Sequence, residues 1–323
     1  MLPNKRVSNV STTADGVVVR CRDGTSYDGS IIIGADGAHS FIRDQMRTLA
    51  LQSSATEGVN DEKPFLTTYN AMWVRFPTMS GLRPGNANET HGPDAAIQLF
   101  AGEETSVIGI YARLDEPTRE RQRYTQADEE AFVDRWGHLP LSHDLTVRKA
   151  YEARVGAGLV SLEEGVVSHW SWDRIVLAGD AAHKFTPSTA AGCNNGIVDV
   201  VVLANELHKV VAAARAQSGG SGVPAKEQIA AAFKAYQDAR YAVVVSGQAG
   251  ASRATAAATW YNTVNRFTDR HVISSATVQK VFMHLGAFGI AKTPVLDYVE
   301  GEEHMNGKFP WIQQIKSAAV EAQ

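Results

Sequence analysis

Alternating apolar and polar residues predict that the chain begins with β-structure. The alternation covers residues 6–12 and 17–21, with one Asp-Gly pair between the two runs at 15–16 and another after them at 23–24. An Asp-Gly pair between alternating runs is typical of a tight hairpin turn. We therefore expect a β-hairpin or a three-stranded meander at the start of the chain.

An unbroken apolar run at residues 31–33, Ile-Ile-Ile, predicts a strand that is buried on both faces. The run ends in Gly-Ala-Asp-Gly at 34–37, a composition typical of a tight turn. Ser40 follows this turn and is suited to cap a short helix, because its hydroxyl can accept a hydrogen bond from the first helical turn. We expect that helix to extend to residue 47.

Residues 61–170 are mostly β in pattern, interrupted by helical stretches. A loop rich in Pro, Gly and Asn is predicted at 77–93. The predicted strands are 69–76, 95–100 and 105–114, and the predicted helices are 127–136 and 145–154. This segment is therefore expected to be a sheet that carries a few helices.

From residue 173 onwards the pattern becomes helical after one more buried strand, which is predicted at 173–178. A helix with a wide apolar face is predicted at 195–214, and a Gly- and Ser-rich flexible link at 215–224. Long helices are predicted at 225–241, in the Ala-rich run to residue 260 and at 272–285. Buried strands combined with helices place the fold in the α/β class.

Composition and charge exclude several classes of function. The net charge is -4 and no basic block is present, so nucleic acid is not expected as a partner. Cys21 and Cys193 stand far apart without a metal-ligand spacing, so neither a metal site nor a disulfide framework is predicted. No signal-like segment and no membrane-spanning apolar segment is visible. We expect a soluble, cytoplasmic protein of ordinary globular composition.

Two short turns that contain Gly and Asp carry the candidate chemistry. The turn at 34–37 follows the first buried strand, at the end where open α/β sheets usually bind ligands. Gly179-Asp180 follows the second buried strand, shortly before a helix. An acid at such a strand end can hold a sugar or ribitol hydroxyl, and the N–H groups of a helix start can face a pyrophosphate or an electron-rich carbonyl.

Together these turns resemble the FAD-dependent aromatic-type monooxygenases related to p-hydroxybenzoate hydroxylase, especially the branch that hydroxylates or epoxidises terpenoid and polyketide natural products. That family also places an antiparallel substrate sheet between the turns and helices after them. The resemblance implies FAD as cofactor, NAD(P)H if the chain is redox-active, and a small apolar natural product as substrate. The flavin-binding residues that it implies are Gly34, Asp36, Gly37, Arg43, Gly179, Asp180, Ala181, Pro187, Gly192 and Asn194.

Two departures from the family pattern bear on FAD binding. The segment after Pro187 usually reads Gly-Gln-Gly-x-Asn, whereas Ala190 and Ala191 replace the first glycine and the glutamine here, which leaves the close backbone approach at position 190 open. The family's opening Gly-x-Gly-x-x-Gly turn, which binds the FAD pyrophosphate, does not stand ahead of the first motif. A near match at 156–161 lacks the third glycine and the strand-turn-helix context.

The candidate side chains in the turns also have structural interpretations. Asp36 and Asp180 could instead cap the helices that follow them. His183 is a candidate proton donor, but a histidine in this turn more often satisfies neighbouring backbone groups. Cys193, near a helix start, is interpreted as a small buried packing residue.

Tyr69, Trp73 and Arg75 alternate on one face of a predicted strand. In the architecture that the resemblance implies they would line a substrate cavity, and otherwise they pack the sheet. The candidates for catalysis are therefore Asp36, His183, Tyr69 and Arg75, without a metal ligand among them.

The predicted organisation has three regions. Residues 1–45 and 171–214 form the remnant of a Rossmann-like FAD domain, 46–170 form an antiparallel β-sheet domain that binds the substrate, and 225–323 form a C-terminal helical region.

Three functions remain open. The eroded glycine segment and the missing opening turn favour a truncated flavin-monooxygenase-like enzyme whose FAD binding is lost or weakened, and which acts as a redox-neutral cyclase or isomerase. The first alternative is an FAD- and NAD(P)H-dependent hydroxylase or epoxidase seen without its N-terminal segment. The second is a non-catalytic partner of a full-length relative, in a homo- or hetero-oligomer that covers an exposed sheet edge.

Overall fold

The computed structural model describes residues 2–53, 58–217, 222–303, 307 and 309–316. Within them the strands are β1 (Val7–Thr12), β2 (Val17–Cys21), β3 (Ser26–Gly29), β4 (Ile32–Gly34), β5 (Leu66–Pro77), β6 (Ala87–His91), β7 (Ala95–Phe100), β8 (Thr105–Thr118), β9 (Gly156–Val166), β10 (Ser171–Trp172), β11 (Ile175–Leu177) and β12 (His183–Lys184). The α-helices are α1 (Phe41–Gln52), α2 (Gln126–Trp136), α3 (Val147–Glu152), α4 (Ala191–Gln217), α5 (Lys226–Ala258), α6 (Thr263–Thr268) and α7 (Ala276–Ile290).

The chain begins with the predicted meander, an antiparallel sheet of order β1-β2-β3. Its turns form where the Asp-Gly pairs stand, and Gly24 has a left-handed backbone with φ of 84°. The hairpin prediction is therefore confirmed, together with its third strand.

The second sheet has the order β10-β11-β4, and β4 runs parallel to β11. Ile32 lies in a buried core with Ile42 and Met46, but Ile33 points to the opposite face and is 48% exposed. The prediction that this strand is buried on both faces was wrong, because among the described residues only the face of β4 that carries Ile32 is packed into the core; β4 is also one of the two edge strands of this sheet. A partner at this edge stays a prediction.

The largest sheet is antiparallel, with the order β12-β9-β5-β8-β7-β6. It confirms the three predicted strands in the middle of the chain and adds β9, β12 and β6, of which β6 falls inside the predicted loop at 77–93. The sequence of β6, Ala-Asn-Glu-Thr-His, has no apolar alternation, so only its pairing with β7 shows that it is a strand.

The two faces of this sheet pack against different helices. One face carries Met72, Val74 and Phe76 and packs against α2 and α3. The other face carries Tyr69, Ala71, Ala96, Tyr111 and Leu162 and reaches Ala258 near the end of α5. The near match to a dinucleotide turn at 156–161 lies within β9, where a side chain on Gly158 would collide with the indole of Trp73. Those glycines therefore serve packing.

The C-terminal half confirms helices with changed boundaries. Helix α4 begins at Ala191 and continues to Gln217, so the first part of the predicted flexible link is helical, and residues 218–221 of that link lie outside the described residues. Helix α5 is one continuous helix that buries Phe233, Tyr236 and Val244. A π-helical turn, Asp269–Ile273, connects α6 towards α7. Searched over the described ranges, no helix is long and apolar enough to cross a membrane.

Candidate functional site

The structure brings the two Gly-Asp turns side by side. Strands β4 and β11 are parallel neighbours, with Gly34 opposite Leu177, and the N–H of Ala178 donates to the Gly34 carbonyl at 3.0 Å. Because parallel strands end at the same edge of a sheet, the turn after β4 and the turn after β11 face the same side. The site that the sequence divides between two distant segments is therefore one place in the fold.

Three glycines shape this edge in different ways. A side chain on Gly34 would lie 2.8 Å from Ile42 and 2.9 Å from Leu177, so this glycine allows β4 to pack closely against its neighbours. Gly37 has φ of 86° and open space around it, as a tight turn requires. Gly179 has φ of 58° and lies against Gly196 of α4.

Asp36 caps the helix that follows it. Its carboxylate accepts the Ser40 hydroxyl and the Ile42 N–H, the latter at 3.1 Å. Ser40 in turn accepts the N–H of Arg43 at 2.9 Å, as the sequence predicts for an N-cap. The structural interpretation of Asp36 is therefore present in the molecule, and a contact with flavin stays a prediction.

Arg43 links the two turns. Its buried guanidinium donates to the carbonyl oxygens of Ala38, at 2.7 Å, and Ala181, at 3.0 Å, and it lies 4.9 Å from the ring centre of Phe65. Ala38 follows the first turn and Ala181 belongs to the second. Arg43, which matches the family motif, therefore joins the two turns by hydrogen bonds to both.

Asp180 does not cap a helix in this structure. Its Oδ2 pairs with Lys184 Nζ at 2.6 Å, and the side chains of both residues are partly exposed. A Cβ on Gly192 would lie 4.0 Å from Asp180 Oδ1, so the carboxylate stands beside the start of α4. Asp36 is exposed and Asp180 is partly exposed, so the carboxylates of both turns are accessible.

The turn before α4 keeps the geometry of a glycine segment without the glycine. Pro187–Thr189 form a short 3-10 turn, and Ala190 follows with φ of 52° and ψ of 26°, a left-handed conformation. Alanine adopts this conformation at a cost of about 1 kcal/mol. The left-handed backbone is therefore formed with alanine at position 190, and the close approach of a ligand to this backbone stays a prediction.

His183 lies under the second turn instead of facing a cavity. It is fully buried, and its Nε2 is 2.5 Å from Oδ2 of Asp199, whose Oδ1 accepts from Nε of Arg240 at 2.8 Å. The N–H of Gly179 also donates to Asp199. Burial alone would raise the pKa of the Asp199 carboxyl, but the hydrogen bonds from His183, Arg240 and Gly179 hold that pKa below its ordinary value. His183 is therefore a structural residue of the turn in this conformation.

Sequence reasoning missed Asp199 and Arg240. The available signal was an acid inside the apolar run Val198-Asp199-Val200, on a helix face that must be buried. A buried carboxylate requires a cationic or hydrogen-bonding partner, and His183 was the obvious candidate.

The three residues proposed to line a cavity from β5 do not share one environment. Tyr69 is buried towards α5, where Thr259 Oγ1 lies 3.4 Å from its hydroxyl, and burial raises its pKa. Trp73 is 45% exposed, and Arg75 is also exposed. All three lie on the same face of β5, but of them only Tyr69 lies where α5 covers that face.

A cavity of about 130 Å³ lies between the large sheet, α5 and the π-helical turn. Its apolar wall consists of Ala96, Ile97, Ala254, Ala257, Ala258 and Ile273. Its polar wall consists of Glu89, His91, Gln98, Tyr111, Ser188 and Asp269. Ser188 belongs to the turn before α4, so the cavity adjoins the second motif.

His91 lies at the centre of the polar wall. Its two ring nitrogens contact Glu89 at 3.2 Å and Asp269 at 2.8 Å. The hydrogen bond that His91 donates to the Glu89 carboxylate raises the pKa of His91, burial opposes this, and Asp269 adds to the rise. Sequence analysis missed both His91 and Glu89, because they lie in the segment that it predicted to be a loop.

The residues at the strand ends fit a flavin ring and its ribitol chain. Asp180 offers a partly exposed carboxylate for a hydroxyl. Ala190 has no side-chain oxygen to cap α4, so the first N–H groups of this helix are available to a carbonyl of the ring. A side chain at Gly192 would narrow the space beside Asp180. This arrangement corresponds to the predicted residues Gly179 to Asn194.

Two further expectations concern reactive groups. Cys193 is exposed at the start of α4, so its interpretation as a buried packing residue was wrong. In the part of the chain that the structure describes, no three His, Cys, Asp or Glu side chains are grouped as they would be around a metal ion.

Comparisons with known proteins agree with this geometry. Residues 3–220 match the model of a family described as FAD binding domain. The FAD-dependent monooxygenase DEP2 of Alternaria brassicicola is 34% identical over 217 residues, which are 64% of this chain and 40% of that relative. The chain thus spans less than half the length of this curated relative.

Solved structures show the same fold at low sequence identity. An HpxO variant of Klebsiella pneumoniae, complexed with FAD, has a TM-score of 0.64 and 18% identity over 87% of this chain and 67% of its own. The Diels-Alderase PyrE3 from the biosynthetic pathway of pyrroindomycins has a TM-score of 0.59 and 20% identity over 87% of this chain and 54% of its own. Since the family model covers well over half of the sequence, the chain belongs to the family defined by this FAD-binding domain.

Proposed function

We propose that this chain binds FAD at the paired turns and takes part in the oxygenation of a small apolar natural product. The observation that carries this proposal is the left-handed backbone of Ala190. With alanine in place of the family's glycine, the chain still forms a left-handed turn into α4, whose start lies beside Asp180. Of the two losses that favoured a redox-neutral enzyme, the eroded glycine segment therefore counts for less than the sequence alone suggests.

Each residue of the site has a distinct part in this proposal. Asp180 accepts a hydrogen bond from a ribitol hydroxyl, and the N–H groups at the start of α4 donate to the ring edge. Arg43 holds the two turns in register. When bound and reduced by NAD(P)H, the flavin would supply the two electrons with which O₂ transfers one oxygen atom to the substrate and releases the other as water. The apolar wall under α5 positions the substrate and excludes water.

Binding of FAD to the purified chain, followed by its visible absorbance and by calorimetry, tests the proposal. The variant Asp180→Asn should weaken binding about 10-fold or more, because a hydrogen bond to a charged group is lost. Asp238→Asn, on the exposed side of α5, is the matched control and should leave binding unchanged. Riboflavin serves as a second ligand. It contains the ring and the ribitol chain but lacks the adenosine half of FAD, so its binding reports on the ring and ribitol alone. Failure of both flavins to bind would overturn the proposal.

Anaerobic addition of NAD(P)H to the flavin-loaded chain tests the redox part. Bleaching of the flavin absorbance would support oxygenation. Flavin that binds but is not reduced by NADH or NADPH would count against it.

The second candidate function is the redox-neutral cyclisation or isomerisation that the sequence favours. It is supported by the acid-base pair of Glu89 and His91 beside an apolar cavity, and by a solved Diels-Alderase with the same fold. In that case a polyene substrate would be converted without NAD(P)H or O₂. Conversion that stops when O₂ is removed would exclude this function.

A further inference from the structure

The protons of the cavity's polar wall are all committed to protein acceptors, and this determines what the cavity can recognise. Gln98 shows how. Its Nε2 donates to Glu89 Oε1 at 2.7 Å and to the Ser188 carbonyl at 3.1 Å. A carboxylate and a carbonyl can only accept, so the amide nitrogen must face them and the amide oxygen must face the other way. That oxygen meets the hydroxyl of Tyr111, which therefore donates to it.

Tyr111 keeps its proton for this bond. Burial raises the pKa of its hydroxyl, and the nearby Glu89 carboxylate adds to the rise. A phenolic oxygen can accept hydrogen bonds as well as donate one, and Gln98 is its hydrogen-bond partner among the described residues. Tyr111 therefore presents acceptor capacity, and no proton, to a molecule in the cavity.

The other polar groups at the cavity behave in the same way. Both ring nitrogens of His91 are taken by Glu89 and Asp269, and the indole N–H of Trp260 donates to Asp269 at 2.8 Å. Ser188 Oγ lies 2.6 Å from Thr255 Oγ1, which itself donates to Thr186 or to the Ala251 carbonyl. The hydroxyl of Ser188 is thus left to donate to Thr255. The cavity offers acceptors to a ligand and withholds donors.

We propose that this cavity selects an apolar substrate by a hydroxyl or N–H group, which donates to Tyr111 Oη, and that Gln98 sets this preference by taking the Tyr111 proton. The inference deepens the proposed function and rests on it only in calling the ligand a substrate. A cavity of about 130 Å³ suits one ring-sized end of such a molecule, because engineered apolar cavities of about 150 Å³ bind benzene. The remainder of the substrate would extend towards the turn that contains Ser188.

Cyclohexanol and cyclohexanone are suitable probes, since they are nearly equal in size and only the alcohol can donate. We expect the wild-type chain to bind cyclohexanol about 3- to 10-fold more tightly, which corresponds to one neutral hydrogen bond. Ligand-observed NMR titration gives both dissociation constants without FAD or turnover.

Three variants separate recognition from packing. Tyr111→Phe should remove the preference for the alcohol. Tyr151→Phe is the matched control: Tyr151 packs in the core on the opposite face of the sheet, and its variant should keep the wild-type ratio. Gln98→Met should release the Tyr111 proton, so that the chain gains a donor for cyclohexanone and the ratio falls below that of the wild type. If Gln98 had only a structural role, Gln98→Met would weaken the binding of both ligands equally.

The outcomes are distinguishable from those of the flavin experiments. Equal binding of the two probes by the wild type, an unchanged ratio in Tyr111→Phe, or no binding of either probe overturns this inference, even where FAD binds. Conversely, the predicted ratios in a chain that binds no flavin would support the cavity's selectivity and remove only its link to oxygenation. Melting curves of each variant verify that the fold is intact.

Discussion

At the edge where β4 and β11 end, His183 Nε2 contacts Asp199 and Arg43 donates to the backbone of both turns, while His183 Nδ1 is buried without a hydrogen-bond partner among the described residues. In the cavity under α5, by contrast, Tyr111 and Ser188 keep acceptor capacity that faces an open volume. Both regions contain a histidine beside an aspartate, so residue type alone does not separate them. The difference is where the remaining hydrogen-bonding capacity lies: His183 Nδ1 is enclosed in the core, whereas Tyr111 and Ser188 line an open volume, which favours the cavity as the place for recognition.

The largest expected effect comes from disrupting the buried cluster of His183, Asp199 and Arg240 under the second turn. Asp199→Asn should lower the free energy of unfolding by about 3 kcal/mol or more, because it leaves the buried Arg240 guanidinium without its charged partner. Urea denaturation measures this. Because the pKa of Asp199 is held below its ordinary value of 3.8, the stabilisation is present above that pH and is lost as the pH falls through the folded-state pKa. The free energies of unfolding of the wild type and the variant should therefore become more similar at acid pH.

The exposed pair of Asp238 and Lys234 provides the contrast for this prediction. Asp238→Asn should change the stability by less than about 0.5 kcal/mol, since exposed ion pairs are screened by water. Equal effects of the two Asp→Asn substitutions would contradict the assignment of Asp199 as the central residue of a buried cluster.

A smaller loss is expected when the strand edge is overpacked. Gly34→Ala places a methyl group within 3 Å of Ile42 and Leu177, both buried in the core. We expect a loss of about 1–3 kcal/mol, again from urea denaturation. Gly37→Ala would test a different property, since space is open there and the strain comes from φ of 86°. A Gly34→Ala variant as stable as the wild type would show that β4 has room to move.

The ionisation of His91 should make the stability of the protein depend on pH. Its pKa is raised above the ordinary 6.5 by Glu89 and Asp269. The stabilisation is therefore complete below that pH and is lost as the pH rises through the folded-state pKa. Thermal unfolding of His91→Gln should show a flatter profile in this range, with a loss of about 1 kcal/mol at low pH. His143→Gln, at a fully exposed site, should retain the wild-type profile.

Much of the fold could be predicted from local pattern. The meander, β5, β7, β8 and α2 follow from apolar alternation or periodicity, and the resemblance of the two turns led to the correct family. Local pattern did not predict solvent exposure. Ile33 and Cys193 are both exposed, because exposure depends on which other element covers a residue.

The candidate site was predicted only in part for the same reason. The residues of the turns are close in sequence to glycines and were found, although Asp36, Arg43 and His183 proved to bind protein groups. Glu89 and His91 lie on a strand of polar sequence, and Asp269 approaches them from 178 positions beyond His91. Such a cluster exists only after the sheet and the C-terminal helices meet, so no single segment contains its signal.

The smallest expected effect lies where the two regions join, at Ala190. Ser188 belongs to the cavity wall and Gly192 to the flavin side, so the left-handed residue between them sets how the two face each other. Ala190→Gly should raise the free energy of unfolding by about 0.5–1 kcal/mol, because glycine adopts this conformation without strain. Ala191→Gly is the matched control one position later; it lies in α4 and should be neutral or destabilising. Because alanine already adopts the left-handed conformation at position 190, we expect flavin affinity to change little in Ala190→Gly. A large gain in affinity would instead mean that the alanine distorts the cradle, and that the eroded glycine segment weakens cofactor binding after all.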